Sequence, residues 1–238
     1  HKATTDTDRT VAVKIQYPGI DQTIQQDLSI LKVLLLKLPI PGIKTKSNLI
    51  STLLTELEHR FLDETNYEKE KTSLDWFRTH NPFPHIHIPH TIPTYCSKTV
   101  LTMSFLEGVH VDEWLLTKPS QKDRNHMAQT LWDFFAYFFT HHNILHADPN
   151  PGNYLIMDNN EFGILDFGCI KTCDTEFPTQ LTSMIQYYIQ NDMKNVIKLY
   201  EVWGLLDPQA KINQSDIKKA IAYFIGVLKK SYCLLYCQ

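Results

Sequence analysis

The sequence carries no excess of positive charge. Its 238 residues sum to a net charge of −3, whereas a surface that tracks nucleic-acid phosphates shows a basic surplus. Nucleic acid is therefore not an expected partner. Cysteines are few and unpaired in pattern: Cys96, Cys169, Cys173, Cys233 and Cys237 form an odd set without a C-x-x-C pair. They read as reduced thiols in a reducing compartment. The most apolar early segment is too short and too charged to cross a bilayer. LSILKVLLLKLPIPGI is interrupted by Lys32, Lys37 and Pro39, short of the roughly 20 apolar residues a spanning helix needs. There is no internal repeat, no low-complexity segment and no signal-peptide pattern. The chain begins at His1 and stops after KKSYCLLYCQ, and it is read as a piece of a longer protein.

What remains is an ordinary globular composition, 43% hydrophobic and 21% charged, long enough for one large domain or two modest lobes. RTVAVKIQYP (residues 9–18) is alternating, β-branched and closed by Pro-Gly, which predicts a strand and a turn. HKAT is the tail of a preceding strand, joined to it through TTDTDR. Apolar spacing predicts a helix over residues 21–38, stopped by Pro39, Pro41 and Gly42. A second helix is expected over residues 47–80, broken in the middle. HIHIPHTIPTYCSKTVLTMSFLEG supplies two short strands. Residues 125–146, 177–206 and 214–235 read as helical, so strands are expected mainly in the first half and helices in the second, an α+β arrangement.

The densest chemistry lies in NILHADPNPGNYLIMDNNEFGILDFG, residues 143–168. Two carboxylates, Asp148 and Asp166, flank a short apolar hairpin formed by YLIM and FGIL around a DNNE turn. Phosphoryl-transfer sites need a cation on the non-transferred phosphates, carboxylates for Mg²⁺ and a group near the nucleophile. Protein-kinase-like folds supply these in a fixed order: a lysine in V-A-x-K, a helix glutamate, an Asp and Asn five residues apart, then Asp-Phe-Gly. VAVK at Lys14, the glutamates Glu64 and Glu70, HADPNPGN with Asp148 and Asn153, and DFG at Asp166 follow that order. Asp166 is a hard oxygen ligand for Mg²⁺, and Asn153 offers a neutral carbonyl oxygen. Asp148 stands where a base or substrate-orienting carboxylate belongs. Pro149, Pro151 and Gly152 make the loop between them both stiff and sharply turned.

The surrounding words VAVKIQYPGI, ETNYEKE, VLTMSFLEG, HADPNPGN and LDFGCIK resemble the UbiB family, the aarF-domain atypical kinases. The resemblance runs from His1 to at least Leu206. It implies a two-lobed kinase-like fold, with an N-lobe and helical insert over residues 1–107 and a helical C-lobe over residues 108–238. Lys14 is implied to contact phosphate, with Glu70 as its ion-pair partner and Glu64 as the first acid of an E-x-D motif. Met103, Ser104, Phe105 and Leu106 border the adenine by analogy with kinase hinges. ATP and Mg²⁺ are the implied cofactors, in ubiquinone or other isoprenoid-lipid metabolism, with quinone-biosynthesis proteins or lipids as partners. The implied setting is cytoplasmic with peripheral membrane contact, or an organelle interior such as the mitochondrion. A small-molecule phosphotransferase and a nucleotide-sensing scaffold are the rival readings. This chain departs from the family at Asn66, where the second acid of E-x-D is expected, and at Asn150, where histidine is commoner. The family's K-x-G-Q motif and nucleotide loop are expected upstream of His1.

Two histidine groups, His85/His87/His90 and His141/His142/His146, invite a metal reading. Alternation instead puts His85 and His87 on the strand face opposite Ile86 and Ile88, and His146 is expected to hydrogen-bond within the catalytic loop. The aromatic run WDFFAYFF has the spacing of core packing.

Overall fold

The computed structural model describes residues 1–37 and 65–206, with isolated positions at 54, 55, 57, 58, 61, 215, 217, 219, 221 and 222. Packing groups the chain into two units, one of His1–Trp114 with His146–Ile170, the other of Leu115–Leu145 with Lys171–Gln238.

In the first unit, β1 (Lys2–Thr4), β2 (Thr10–Ile15) and β4 (Val100–Ser104) form an antiparallel sheet in the order β1-β2-β4. The β1–β2 turn closes because Thr5 Oγ1 accepts from the Arg9 N–H at 3.1 Å and Asp8 takes a left-handed φ of 59°, a conformation aspartate tolerates. Opposite residues in such a ladder share a face. Lys14 faces Leu101 and Ala12 faces Met103, and both β4 residues are buried. The lysine thus shares a face of the sheet with Leu101 and Met103.

Helix α1 (Ile20–Lys37) follows β2, and α2 spans Tyr67–His80. Asn66 caps α2, its side-chain oxygen accepting from the Lys69 N–H at 3.1 Å, and acids in the first turn with Arg78 and His80 in the last suit the helix dipole. Of the second helix expected over residues 47–80, α2 is the later part; most of the earlier part lies outside the described residues, as does most of 214–235. Glu70, Leu74 and Phe77 are the buried positions of α2. Their i, i+4, i+7 spacing places them on one face, so the helix presents one acid and two apolar side chains together.

A second sheet has the order β3-β8-β7-β5, from β3 (Ile86–His87), β5 (Val109–His110), β7 (Tyr154–Ile156) and β8 (Phe162–Ile164). β7 and β8 form the expected hairpin, with Tyr154 opposite Ile164 and Ile156 opposite Phe162. Asn159 and Asn160 both adopt positive φ, 59° and 61°; two left-handed residues give a turn whose twist matches the strands. β3 joins β8 in parallel, a pairing the sequence reading did not contain. β7 and β8, with two further short strands, lie in the second half of the chain. The expected strand-first, helix-second division is therefore only partial.

Strands β6 (Ile144–His146) and β9 (Ile170–Thr172) pair with each other. The short helix α3 covers Val111–Leu116. The second unit holds α4 (Gln121–His142), α5 (Phe177–Ile189) and α6 (Met193–Val202). Ser120 caps the start of α4, and Asn143 in the left-handed conformation ends it. The aromatic run packs as expected, with Phe134 and Phe138 fully buried and their rings 4.8 Å apart. Met184, Met193, Val196, Ile217 and Ile221 form this unit's apolar cluster. Trp203 joins it while its indole N–H donates to Gln180 Oε1 at 2.7 Å.

Candidate functional site

Lys14 is the centre of the site, which lies wholly within the first unit. Its ammonium donates to Glu70 Oε1 and, at 2.6 Å, to Asp166 Oδ2. Glu70 is 2% exposed, whereas the Lys14 and Asp166 side chains keep 29% and 28% exposure. The cluster is closed on the α2 side and open on the side of the lysine and aspartate, where a ligand can reach it.

The electrostatics separate the two carboxylates. Burial acts to raise the Asp166 pKa, but Lys14 and the Gly168 N–H outweigh it and hold the carboxyl below its ordinary range. For Glu70 burial wins, helped by the like charge of Asp166, and its pKa stays raised despite Lys14. Burial would lower Lys14, yet the two acids lift it above its usual value. One cation thus serves two anions, and Asp166 is the more firmly ionised of them. Tyr67, in the first turn of α2, is raised by burial, with Lys14, Glu70 and Asp166 all acting on it.

Asp166 is held on its other side as well. Its Oδ1 accepts from the Gly168 N–H at 2.8 Å. A Cβ at Gly168 would sit a tight 3.3 Å from that oxygen, against an ordinary 3.7 Å from Glu70 Oε2, so glycine here leaves room beside the Asp166 carboxylate. His146 donates from Nε2 to the Asp166 carbonyl oxygen at 2.8 Å, as the carbonyl can only accept. Burial pushes the His146 pKa down, which favours the neutral ring with its proton on Nε2. The bond expected within the 146–153 loop goes instead to the backbone of the Asp-Phe-Gly segment, twenty residues on. Phe167 turns the opposite way from Asp166, fully buried against Phe77 of α2 and edge-on to His146.

The residues of the 148–153 loop meet through Asn153. Asn150 Oδ1 accepts from the Gly152 N–H at 3.0 Å and caps the single turn Pro151–Asn153. From that turn Asn153 Nδ2 donates to Asp148 Oδ2 at 3.0 Å, and Asn153 O accepts from the Leu165 N–H at 2.9 Å. With its amide nitrogen engaged, the Asn153 side-chain oxygen is the group left for a cation. Asn153 and Asp166 each carry a hard side-chain oxygen. Mg²⁺ favours such oxygens and takes only one or two from protein when phosphates and water complete its octahedron. Among the described residues no three His, Cys, Asp or Glu side chains converge as a ready-made cage, and a site of this kind does not need one.

The expected adenine border is the end of β4. Met103 is buried on the Lys14 face. Ser104 is fixed on its outer side, donating its N–H to His90 O and accepting the His90 N–H on Oγ. Phe105 lies 4.4 Å beneath the Lys2 ammonium. Among the described residues no hydrogen bond engages the backbone of Phe105 or Leu106, which leaves that edge available. Leu106 also packs towards Gly163 of β8.

Glu64 lies outside the described residues. The two departures have structural uses: Asn66 is the cap of α2 and Asn150 the cap of the loop turn. Of the histidines, His87 Nε2 pairs with Glu161 Oε2 at 2.7 Å and His141 Nδ1 donates to Tyr137 O. Ile86 and Ile88 are buried opposite His87.

Residues 1–200 match the ABC1 atypical kinase-like domain. The chain belongs to that family. It is the UbiB, or aarF-domain, group to which the motifs point. The mitochondrial atypical kinase COQ8 of Saccharomyces cerevisiae is 26% identical over 209 residues, 87% of this chain and 40% of the yeast protein. AarF domain-containing protein kinase 1 of Xenopus tropicalis is 27% identical over 204 residues, 82% of this chain and 38% of that one. This ABC1 chain therefore spans well under half the length of those relatives. Among solved structures, the Rv3197–erythromycin complex from Mycobacterium tuberculosis superposes with a TM-score of 0.69 at 22% identity, covering 95% of this chain and 56% of that one. The fold is α+β and kinase-like. Every residue placed around Lys14, from the lysine itself to Asp166, falls within the ABC1 match.

Proposed function

We propose that this ABC1 domain binds ATP with Mg²⁺ and acts as an atypical kinase or ATPase of the UbiB type. The observation that carries the reading is the single ammonium of Lys14 held between Glu70 and Asp166. In this proposal the lysine engages the non-transferred phosphates, and Glu70 keeps it pointed there. Asp166 and Asn153 hold Mg²⁺, which neutralises phosphate charge and aligns the transferred group. Asp148, braced by Asn153, receives or orients the proton of the attacking hydroxyl or water. The β4 edge from Met103 through Ser104 and Phe105 to Leu106 receives the adenine. Glu64 belongs to the regulatory E-x-D motif. A lobe boundary after Glu107 accompanies this assignment, with residues 1–107 on the nucleotide side.

Asn66 and Asn150 take no part in the Lys14–Asp166 cluster, so these departures leave its charges in place. That favours turnover over a nucleotide-sensing scaffold. The QYPGI sequence after the strand lysine favours the UbiB reading over a small-molecule phosphotransferase. By family, the activity supports ubiquinone or related isoprenoid-lipid synthesis, with lipids or quinone-biosynthesis proteins as partners. COQ8 is mitochondrial by name; an organelle interior and a cytoplasmic, membrane-associated setting are the two locations proposed here. No described helix is long and apolar enough to cross a membrane.

Thermal-shift titrations with ATP alone, Mg²⁺ alone and both together test the reading on wild type and Asp166→Asn. A shift that requires both ligands and disappears in the variant is expected. Equal Mg²⁺·ATP affinity in Asp166→Asn would overturn the metal assignment, and no shift in wild type would overturn nucleotide binding.

A further inference from the structure

The ion pairs of Lys14 bear on the order in which the site fills. Asp166 Oδ2 is engaged by the Lys14 ammonium at 2.6 Å, and Oδ1 by the Gly168 N–H at 2.8 Å. Both carboxylate oxygens already have a donor. A divalent cation at Asp166 must displace the ammonium from Oδ2 or sit beside it, and like charges at such range repel strongly. Lys14 cannot simply retreat onto Glu70. It already bonds to Glu70, which is the deeply buried member of the trio. The lysine leaves Asp166 readily only when another anion takes its place.

We infer that Lys14 gates the cation site: a polyphosphate anion draws the ammonium off Asp166 and so creates the oxygen that the divalent cation needs. This rests on the nucleotide and metal reading above, and it adds a dependence that the reading does not contain. Cation without anion binds weakly, and the anion strengthens it. By linkage the cation strengthens the anion by the same factor. The partially exposed Lys14–Asp166 edge is the side from which the anion arrives. Glu70 then serves as the anchor to which the ammonium stays tied while it changes its other partner.

A neutral residue at Lys14 separates gating from simple support. In Lys14→Gln the carboxylate is unlocked although the phosphate contact is lost. Binding of Mn²⁺ alone, followed by the EPR signal of the free ion on the full-length protein, should tighten about tenfold over wild type. Lys14→Arg keeps a cation beside Asp166 and should bind Mn²⁺ no more tightly than wild type. Asp166→Asn, run in parallel, identifies the binding that belongs to this site. Lys14→Met replaces Lys14→Gln if circular dichroism shows the latter unfolded. Equal or weaker Mn²⁺ binding in a folded neutral variant would overturn the gate. So would Mn²⁺ binding in Lys14→Arg as tight as in Lys14→Gln. Neither result touches the nucleotide reading, which fails separately if wild type gives no shift with ATP and Mg²⁺ together.

Discussion

Phe167, the residue after Asp166, packs on Phe77 of α2 with ring centroids 4.5 Å apart, and both rings are fully buried. The contact joins the segment that carries Asp166 to the helix that carries Glu70. Phe77→Ala removes one ring from a tight interior, a change that typically costs about 3–5 kcal/mol. Chemical denaturation is expected to show a loss in that range. At temperatures where the variant remains folded, Mg²⁺·ATP affinity should also fall, because α2 no longer fixes Glu70 against Lys14. A stable variant with unaltered affinity would mean that the helix is held in place by other contacts.

His146 gives a pH dependence with a defined sign. Burial is the main cause of its lowered pKa. The unfolded chain, with an ordinary value near 6.5, therefore takes up a proton before the folded one does. Stability is full above about pH 6.5 and falls as the pH drops from there towards the lowered folded value. His146→Gln keeps a donor for the Asp166 carbonyl but cannot ionise. Melting temperatures measured from pH 7.5 to 5 should decline less steeply in the variant than in wild type.

At Asn150 the decisive comparison is between two substitutions. Asn150→Asp retains an oxygen acceptor for the Gly152 N–H, and Asn150→Ala does not. Loss of a capping oxygen typically costs about 1 kcal/mol. Since Asn153 follows directly from this turn, the alanine variant should require more Mg²⁺ for half-maximal nucleotide binding, while the aspartate variant stays near wild type. Calorimetric titration at several Mg²⁺ concentrations distinguishes the two.

Gly168→Ala tests the room beside the Asp166 carboxylate. The added methyl would lie 3.3 Å from Asp166 Oδ1, tight enough to shift it, and an ordinary 3.7 Å from Glu70 Oε2. Mg²⁺·ATP affinity is expected to fall severalfold with only a small change in melting temperature. An unchanged affinity would show that the loop absorbs the methyl without moving Asp166.

The features that the sequence made legible are those written in local pattern. VAVK is an alternating strand, the Asp148–Asn153 interval lies within one loop, and YLIM and FGIL flank a turn with two asparagines that accept positive φ. Each depends on neighbours a few residues away. Non-local pairings were hidden: nothing in Ile86–His87 marks it as the parallel partner of Phe162–Gly163, because a two-residue strand has no measurable period. The roles of Asn66 and Asn150 were visible only as departures from a family motif. Their chemistry offered a signal, since asparagine before a helix start, or before Pro at the first turn position, is a capping pattern. Phe77 gave no such sign. A phenylalanine on a helix face reads as core, and its partner across the site is set by tertiary packing.

The first unit is assembled from two stretches, His1–Trp114 and His146–Ile170, with part of the second unit encoded between them. During synthesis the N-terminal sheet and α2 leave the ribosome well before Phe167 can reach Phe77 or Asp166 can reach Lys14. Chains emerge at about 5–20 residues per second, so for several seconds each newborn chain holds Glu70 and Lys14 without their third member and a helix face without its aromatic cover. The deeply buried Glu70 thus waits for its cover until the last stretch of its own unit arrives, and that interval is when a chaperone would find it exposed.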